Sequence, residues 1–205
     1  MILDALGQAW RAWAHLGAAL DEEQWQCPTR LDGWQVRHVF AHCAPAPGML
    51  RTLPEGERGT PDFTDAESLL AHLQRPGGIA HQRAGDIRQE AITSADGQAH
   101  AELVAQFDVV APDVLAELRT RDLTRHIDYG GLGTVPIAEA LRIALMEAVV
   151  HYLDMAAALE LEVPGPLAGL PVRDTATLLA GTADPVGFIE LAAGRGSAEV
   201  FPVLR

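Results

Sequence analysis

The segment from about residue 136 to residue 161 is apolar on nearly every side, with Glu139 and Arg142 as the main exceptions in its first half. A helix without a polar face has to be covered on all sides, because a surface helix keeps one face for solvent. Small or straight apolar side chains outnumber aromatic ones, which make up 5% of the chain, and such side chains favour helices over sheets. The sequence therefore predicts an all-α protein, a four-helix bundle with this segment at its centre.

Two other segments have the apolar spacing of long amphipathic helices. Residues 2–20 carry apolar side chains every three or four positions, and residues 97–119 do the same. Pro112 lies inside the second of these segments, where we expect it to bend the helix rather than end it. These segments are the first and third helices of the predicted bundle.

The remaining bundle helix is predicted to begin near residues 33–34. Asp32 is a candidate cap for its first turn, and Gln35 lies three positions further on, the spacing of a capping box. Pro45 and Pro47 have no amide hydrogen to donate, so this second helix should kink or stop there.

Shorter elements connect the bundle helices. Asp65 or Thr64 can cap a helix over AESLLAHLQ, and residues 79–94 show weaker helical character. Residues 121–136 read as a long, glycine-rich connection, whose last residue, Pro136, would suit the first turn of the fourth helix.

The chain is long enough for one domain with a proper core, and a second full domain would be cramped. We expect residues 1–161 to form the bundle and residues 162–205 to form a short C-terminal extension packed on it. Helical pieces are predicted near 172–180 and 184–193, followed by an extended end over SAEVFPVLR.

Charge and hydropathy exclude several classes of protein. The net charge is −13 and basic residues are scattered singly, so neither nucleic acid nor anionic lipid is an expected partner. No apolar segment approaches the roughly 20 residues that a membrane span requires. The N-terminal MILDALGQAWRAW has no basic region or cleavage site typical of a signal peptide, so we expect a cytoplasmic protein.

Cys27 and Cys43 are the two cysteines, and they form no CxxC pair. We expect both to be small buried hydrophobic residues, with a catalytic thiol as the less favoured alternative.

Three ionisable residues share one face of the apolar fourth helix. Glu147 and His151 are one turn apart, and Asp154 follows three positions later. A buried carboxylate must take up a proton, find a partner or bind a cation. His38 and His42, one turn apart on the second helix, could supply a further metal ligand. The alternative is that Glu147 pairs with Arg142 or with a residue of the second helix, and that the histidines are core or surface groups.

A resemblance to a known family is carried by two stretches, LDGWQVRHVFAHCA at 31–44 and ALRIALMEAVVHYLDMAAAL at 140–159. In this order they resemble the DinB-like superfamily of metal-binding four-helix bundles, and most closely its mycothiol-dependent maleylpyruvate isomerase family. That family has a tryptophan and an alanine-histidine pair in its second helix, and a glutamate four residues before a histidine in its fourth. The matching residues in this chain are Trp34, His42, Glu147 and His151.

The resemblance implies that His42, Glu147 and His151 bind one divalent metal, with zinc as the expected ion. Asp154 matches an aspartate that often follows the family's histidine, and it would orient His151 by a hydrogen bond. His38 lies outside the family pattern and is expected to support the ligands rather than to join them.

Mycothiol, a low-molecular-weight thiol, serves this family either as a cofactor for isomerising a conjugated dicarboxylate or as a transferred group. A cation held by two imidazoles and one carboxylate would lower the pKa of a bound thiol and so supply a thiolate nucleophile. The resemblance therefore implies a mycothiol-dependent S-transferase or isomerase that acts on a small electrophilic substrate. The isomerases also carry a larger C-terminal domain, so the short extension predicted here favours a transferase.

Two other functions stay open on the sequence. The first is a bundle that binds a metal or small molecule without turnover, and the second is a hydrolase or cyclase that uses metal-activated water. A homodimer formed through an exposed helical face would suit a bundle of this kind.

Overall fold

In a computed structural model of the chain, residues 1–196 and 203–204 are described. Helices dominate, as the sequence predicts. The elements in chain order are α1 (Ile2–Ala19), α2 (Glu22–Trp25), α3 (Val36–Cys43), α4 (Pro45–Arg51), α5 (Ala66–Gln74), α6 (Ile79–Gly97), α7 (His100–Ala105), a π-helix (Gln106–Val110), α8 (Ala111–Leu118), β1 (His126–Asp128), β2 (Thr134–Pro136), α9 (Ile137–Ala158), α10 (Gly165–Ala168), α11 (Leu170–Thr182) and α12 (Pro185–Ala192).

Four helical arms form the bundle: α1, α3 with α4, α7 with α8, and α9. Trp13 of α1 lies at the centre, with its ring centroid 4.9 Å from those of both Phe40 and Phe107. The apolar α9 contacts α1, α3 and α11, so neighbours cover it on several sides. The prediction of an all-α four-helix bundle with a central fourth helix is therefore confirmed.

The second bundle helix begins later than predicted. Pro28 and Gln35 form an antiparallel bridge, and the backbone N–H of Val36 donates to the carbonyl of Cys27. These contacts hold the preceding residues in an extended hairpin, so α3 cannot begin before Val36. The cap predicted at Asp32 is wrong for this reason, and Gln35 is the N-cap residue instead.

The prolines act on the second and third bundle helices as expected. Helix α3 ends at Cys43, and α4 begins at Pro45 after a single intervening residue. In the third arm, a π-helical turn precedes Pro112, which lies in the first turn of α8. Proline has no backbone N–H to donate, and a π-helical turn changes the local hydrogen-bond pattern so that the helix can continue past it.

The predicted connection before α9 contains a small hairpin. Strands β1 and β2 are antiparallel, and Ile127 pairs with Val135. Gly130, Gly131 and Gly133 all have positive φ, which explains the run of glycines between the strands. Pro136 ends β2 and precedes the helix, so its predicted place in the first turn of α9 is wrong.

The residues after α9 fold onto the bundle. Helix α11 contacts α9, α1 and α5, while α12 follows it after a short link. The two helical pieces predicted in this region are therefore present. The extended end predicted over 197–205 lies outside the described residues except for 203–204. The division of the chain at residue 161 stays a prediction.

None of the helices in the described ranges is both long enough and apolar enough to cross a lipid bilayer.

Candidate metal centre

Helices α3 and α9 bring the three predicted ligands together. His42 lies in the last turn of α3, and Glu147 and His151 lie one turn apart on α9. Glu147 Oε2 is 3.3 Å from His151 Nε2 and 4.0 Å from His42 Nε2. The two imidazole rings are nearly perpendicular, with centroids 5.1 Å apart. Two ring nitrogens and one carboxylate oxygen thus lie close together.

Asp154 holds the far side of the His151 ring. Its side chain is buried, at 2% exposure, and Oδ2 lies 3.0 Å from His151 Nδ1. Arg30 Nε donates to the other carboxylate oxygen of Asp154 at 2.6 Å. His151 therefore turns Nδ1 toward Asp154 and Nε2 toward Glu147, an arrangement typical of metal-binding histidines.

The electrostatics of the metal-free site follow from these contacts. Burial lowers the pKa of His151, but hydrogen bonds with Asp154 and Glu147 outweigh it and raise the pKa to about 9. Burial and the neighbouring charge of His151 lower the pKa of His42. The two neighbouring carboxylates thus favour the charged form of His151, whereas burial and His151 disfavour the charged form of His42.

Glu147 is less enclosed than an apolar helix suggests. Its side chain is 47% exposed, so the carboxylate lies at the solvent edge of the site. Desolvation raises its pKa, yet the hydrogen bond with His151 and the charges of both histidines lower the pKa overall. The exposed side of Glu147 leaves an approach from solvent to the three ligands.

Aromatic side chains border the site. The Trp34 ring lies 5.5 Å from that of His42, nearly perpendicular to it, and 6.4 Å from that of His151, nearly parallel. Burial and the charge of Glu147 raise the pKa of Tyr129 to about 12, so its hydroxyl stays protonated. Tyr129 opens the glycine-rich turn of the hairpin, where no motif marks it as part of a site.

Cys43 lies closer to the site than its place in the sequence suggests. Its Sγ and one ring nitrogen each of His42 and His151 all lie within 4.8 Å of one another. Burial, together with the charges of Glu147 and Asp154, raises the pKa of its thiol well above the ordinary value. Adjacent helical residues point about 100° apart, so spacing places Cys43 off the His42 face. Two side chains at that angle can still flank a point between them.

His38 lies in the first turn of α3. It is buried, at 5% exposure, and its Nδ1 accepts the backbone N–H of Gln35 at 3.0 Å. In the described part of the chain its Nε2 has no hydrogen-bond partner. The side chain thus closes the first turn of α3, and its support of the metal ligands stays a prediction.

Comparison with known proteins was made at three levels. A family model described as the mycothiol maleylpyruvate isomerase N-terminal domain matches residues 6–156. The matched range begins within α1, ends within α9, and includes His42, Glu147, His151 and Asp154. No curated protein and no solved structure matches the chain.

Proposed function

The chain belongs to the mycothiol maleylpyruvate isomerase N-terminal domain family, and on this premise we propose that it is a metal-dependent, thiol-using enzyme. Its thiol would be mycothiol or a similar small thiol, and its second substrate a small electrophile. The observation that supports the proposal is the short distance from the Glu147 carboxylate to the ring nitrogens of both His42 and His151, where α3 packs on α9.

The donor atoms suit a divalent cation of the zinc type. Ligand atoms in a tetrahedral zinc site with nitrogen and oxygen donors lie about 3.3 Å apart, as follows from bond lengths of about 2.0–2.2 Å. The separation between Glu147 and His151 is 3.3 Å, and that between Glu147 and His42 is 4.0 Å. The second pair would have to approach by about 0.7 Å to reach the separation of a tetrahedral site. We therefore propose zinc, held by these three side chains.

When bound, the cation would lower the pKa of a thiol that reaches it, so that thiolate is present at neutral pH. The protein's own residues orient and expose the site. Asp154 holds Nδ1 of His151, and Arg30 balances the charge of Asp154. Trp34 lies beside both histidine rings and limits their rotation. The open side of Glu147 is where a thiol and a second substrate would approach.

The reaction follows from thiolate as the nucleophile. In a transfer, sulfur forms a bond to an electrophilic carbon, and a leaving group departs with the electron pair of the bond that breaks. In an isomerisation, sulfur adds to one end of a double bond, the resulting single bond rotates, and the same thiol leaves again. Both reactions use the same site, and the substrate decides between them.

Metal content is the first test. We expect the purified protein to contain about one zinc ion per chain, and the Glu147→Ala variant to lose most of this zinc. Glu160→Ala is the matched control, since Glu160 is exposed just beyond the end of α9. Equal zinc in the wild type and in Glu147→Ala would refute the proposed site.

Thiol use is the second test. Titration of the cobalt-substituted protein with mycothiol should change the visible spectrum of the cobalt, and incubation with electrophiles should yield a conjugate detectable by mass spectrometry. A protein that holds metal but shows neither change with any small thiol would be a binding protein rather than a thiol-dependent enzyme.

A further inference from the structure

We infer that Cys43 is a fourth protein ligand of the proposed metal centre. The inference rests on the proposed centre, and it adds a sulfur donor that the motif of His42, Glu147 and His151 does not contain. The site would then present two nitrogens, one oxygen and one sulfur.

The geometry around Cys43 carries the inference. Its Sγ and the ring nitrogens of His42 and His151 form, within the described residues, a group with all separations at or below 4.8 Å. In a tetrahedral zinc site, nitrogen and sulfur ligands lie about 3.6 Å apart, as bond lengths of about 2.1 and 2.3 Å require. Each nitrogen–sulfur pair would have to close by no more than about 1.2 Å, and the two nitrogens by no more than about 1.5 Å. Rotations of the cysteine and histidine side chains would have to supply this movement.

Cys43 belongs to the buried core, as the sequence predicts, but polar atoms also lie beside its sulfur. Cys43 is 7% exposed, and two imidazole nitrogens lie close to its sulfur. A cysteine packed as a small hydrophobic residue is expected among apolar side chains, where polar ring atoms bring no benefit. A sulfur that faces two metal-binding rings is instead placed where a cation would bind it.

Four protein ligands have two consequences for the site. Sulfur is a soft donor, so Cys43 would favour zinc over harder cations such as magnesium and manganese. A zinc ion with four protein ligands also has a complete tetrahedral sphere. A thiol from solvent would therefore compete with Cys43 for the same ligand position.

Cobalt spectroscopy tests the inference without measuring turnover. The wild-type protein loaded with Co²⁺, in buffer free of added thiol, should show a thiolate-to-cobalt charge-transfer band in the near ultraviolet. Cys43→Ala should lose this band while its visible cobalt bands show that the ion is still bound. Cys27→Ala is the matched control, because Cys27 is the other free cysteine, and it should keep the band.

Zinc affinity gives a second measurement. Cys43→Ala should bind zinc at least about tenfold more weakly than the wild type, since even residues that only orient ligands change affinity by 10–100-fold. Cobalt bound to the wild type without a charge-transfer band would overturn the role of Cys43 and leave the proposed centre standing. Failure of the wild type to bind cobalt at all would remove both.

Discussion

The hydrogen bond between Asp154 and His151 makes the sharpest prediction about the site. Asp154→Asn keeps the size of the side chain but removes its charge, and the new amide can turn either oxygen or nitrogen toward His151. In the native protein the carboxylate accepts from Arg30 at 2.6 Å and lies 3.0 Å from His151 Nδ1. The variant therefore loses the charge that fixes the orientation of His151, while the fold around it is kept.

The expected changes in metal affinity and in stability follow from the burial of Asp154 and of its two partners, His151 and Arg30. Loss of a residue that orients a metal ligand weakens metal binding by about 10–100-fold, or roughly 1.4–2.7 kcal/mol. In the metal-free protein, the hydrogen bond to a charged histidine contributes about 1.5–3 kcal/mol. The Arg30 side chain is 59% exposed and regains water when its partner is lost, so its contribution is smaller, at most about 1 kcal/mol. For the metal-free Asp154→Asn protein we therefore expect the free energy of unfolding to fall by about 2–3 kcal/mol, which lowers Tm by roughly 5–10 °C for a chain of this size.

Two assays separate these effects. Competition with a coloured zinc chelator measures metal affinity, and thermal unfolding in excess chelator measures the stability of the metal-free protein. Asp86→Asn is the matched control, since Asp86 is exposed on α6, and it should leave both quantities unchanged. A zinc affinity of Asp154→Asn within twofold of the wild-type value would refute the orienting role of Asp154.

Two further predictions concern the scaffold. Asp65 Oδ1 accepts the backbone N–H of Ser68 at 2.8 Å, and this bond lowers the pKa of the Asp65 carboxyl. Asp65→Ala should cost about 1 kcal/mol at pH 7 in urea unfolding, whereas Asp65→Asn, which keeps a capping oxygen, should cost less. A carboxyl whose pKa is lower in the folded chain stabilises the fold at pH values above its unfolded pKa. The loss of unfolding free energy in Asp65→Ala should therefore shrink as the pH falls below about 4. An equal loss at pH 7 and pH 3 would contradict the role of Asp65 as a cap. Trp13→Phe removes the buried indole N–H that donates to the carbonyl of Ala148 at 2.8 Å and leaves a cavity, so it should lower the free energy of unfolding by about 2 kcal/mol. An unchanged urea midpoint would show that this hydrogen bond is dispensable.

The bundle, and the shared face of Glu147 and His151, were predictable from local sequence. A long segment without a polar face requires neighbours on every side, and the one-turn spacing of Glu147 and His151 places both on a single face. The position of His42 followed only from the family motif, since spacing alone does not say which face of the second helix meets the fourth.

The features that the sequence did not predict depend on contacts between distant residues. Helix α3 begins at Val36 because the chain before it pairs with itself through Pro28 and Gln35. Arg30 reaches Asp154 across 124 positions, and no motif joins them. Cys43 comes near His151 only once α3 has packed on α9.

The indole of Trp13 ties α1 to α9 at Ala148, directly beside Glu147 in the chain. A helix of 3.6 residues per turn that slipped by one position would rotate each of its side chains by about 100°. The hydrogen bond from the Trp13 indole is made to a single backbone carbonyl, so it favours one rotation of α9 about its axis over the others. The orientation of Glu147 and His151 thus depends on a tryptophan 135 positions away from that carbonyl. Substitutions in the first helix should therefore change the geometry of any site that these two side chains form.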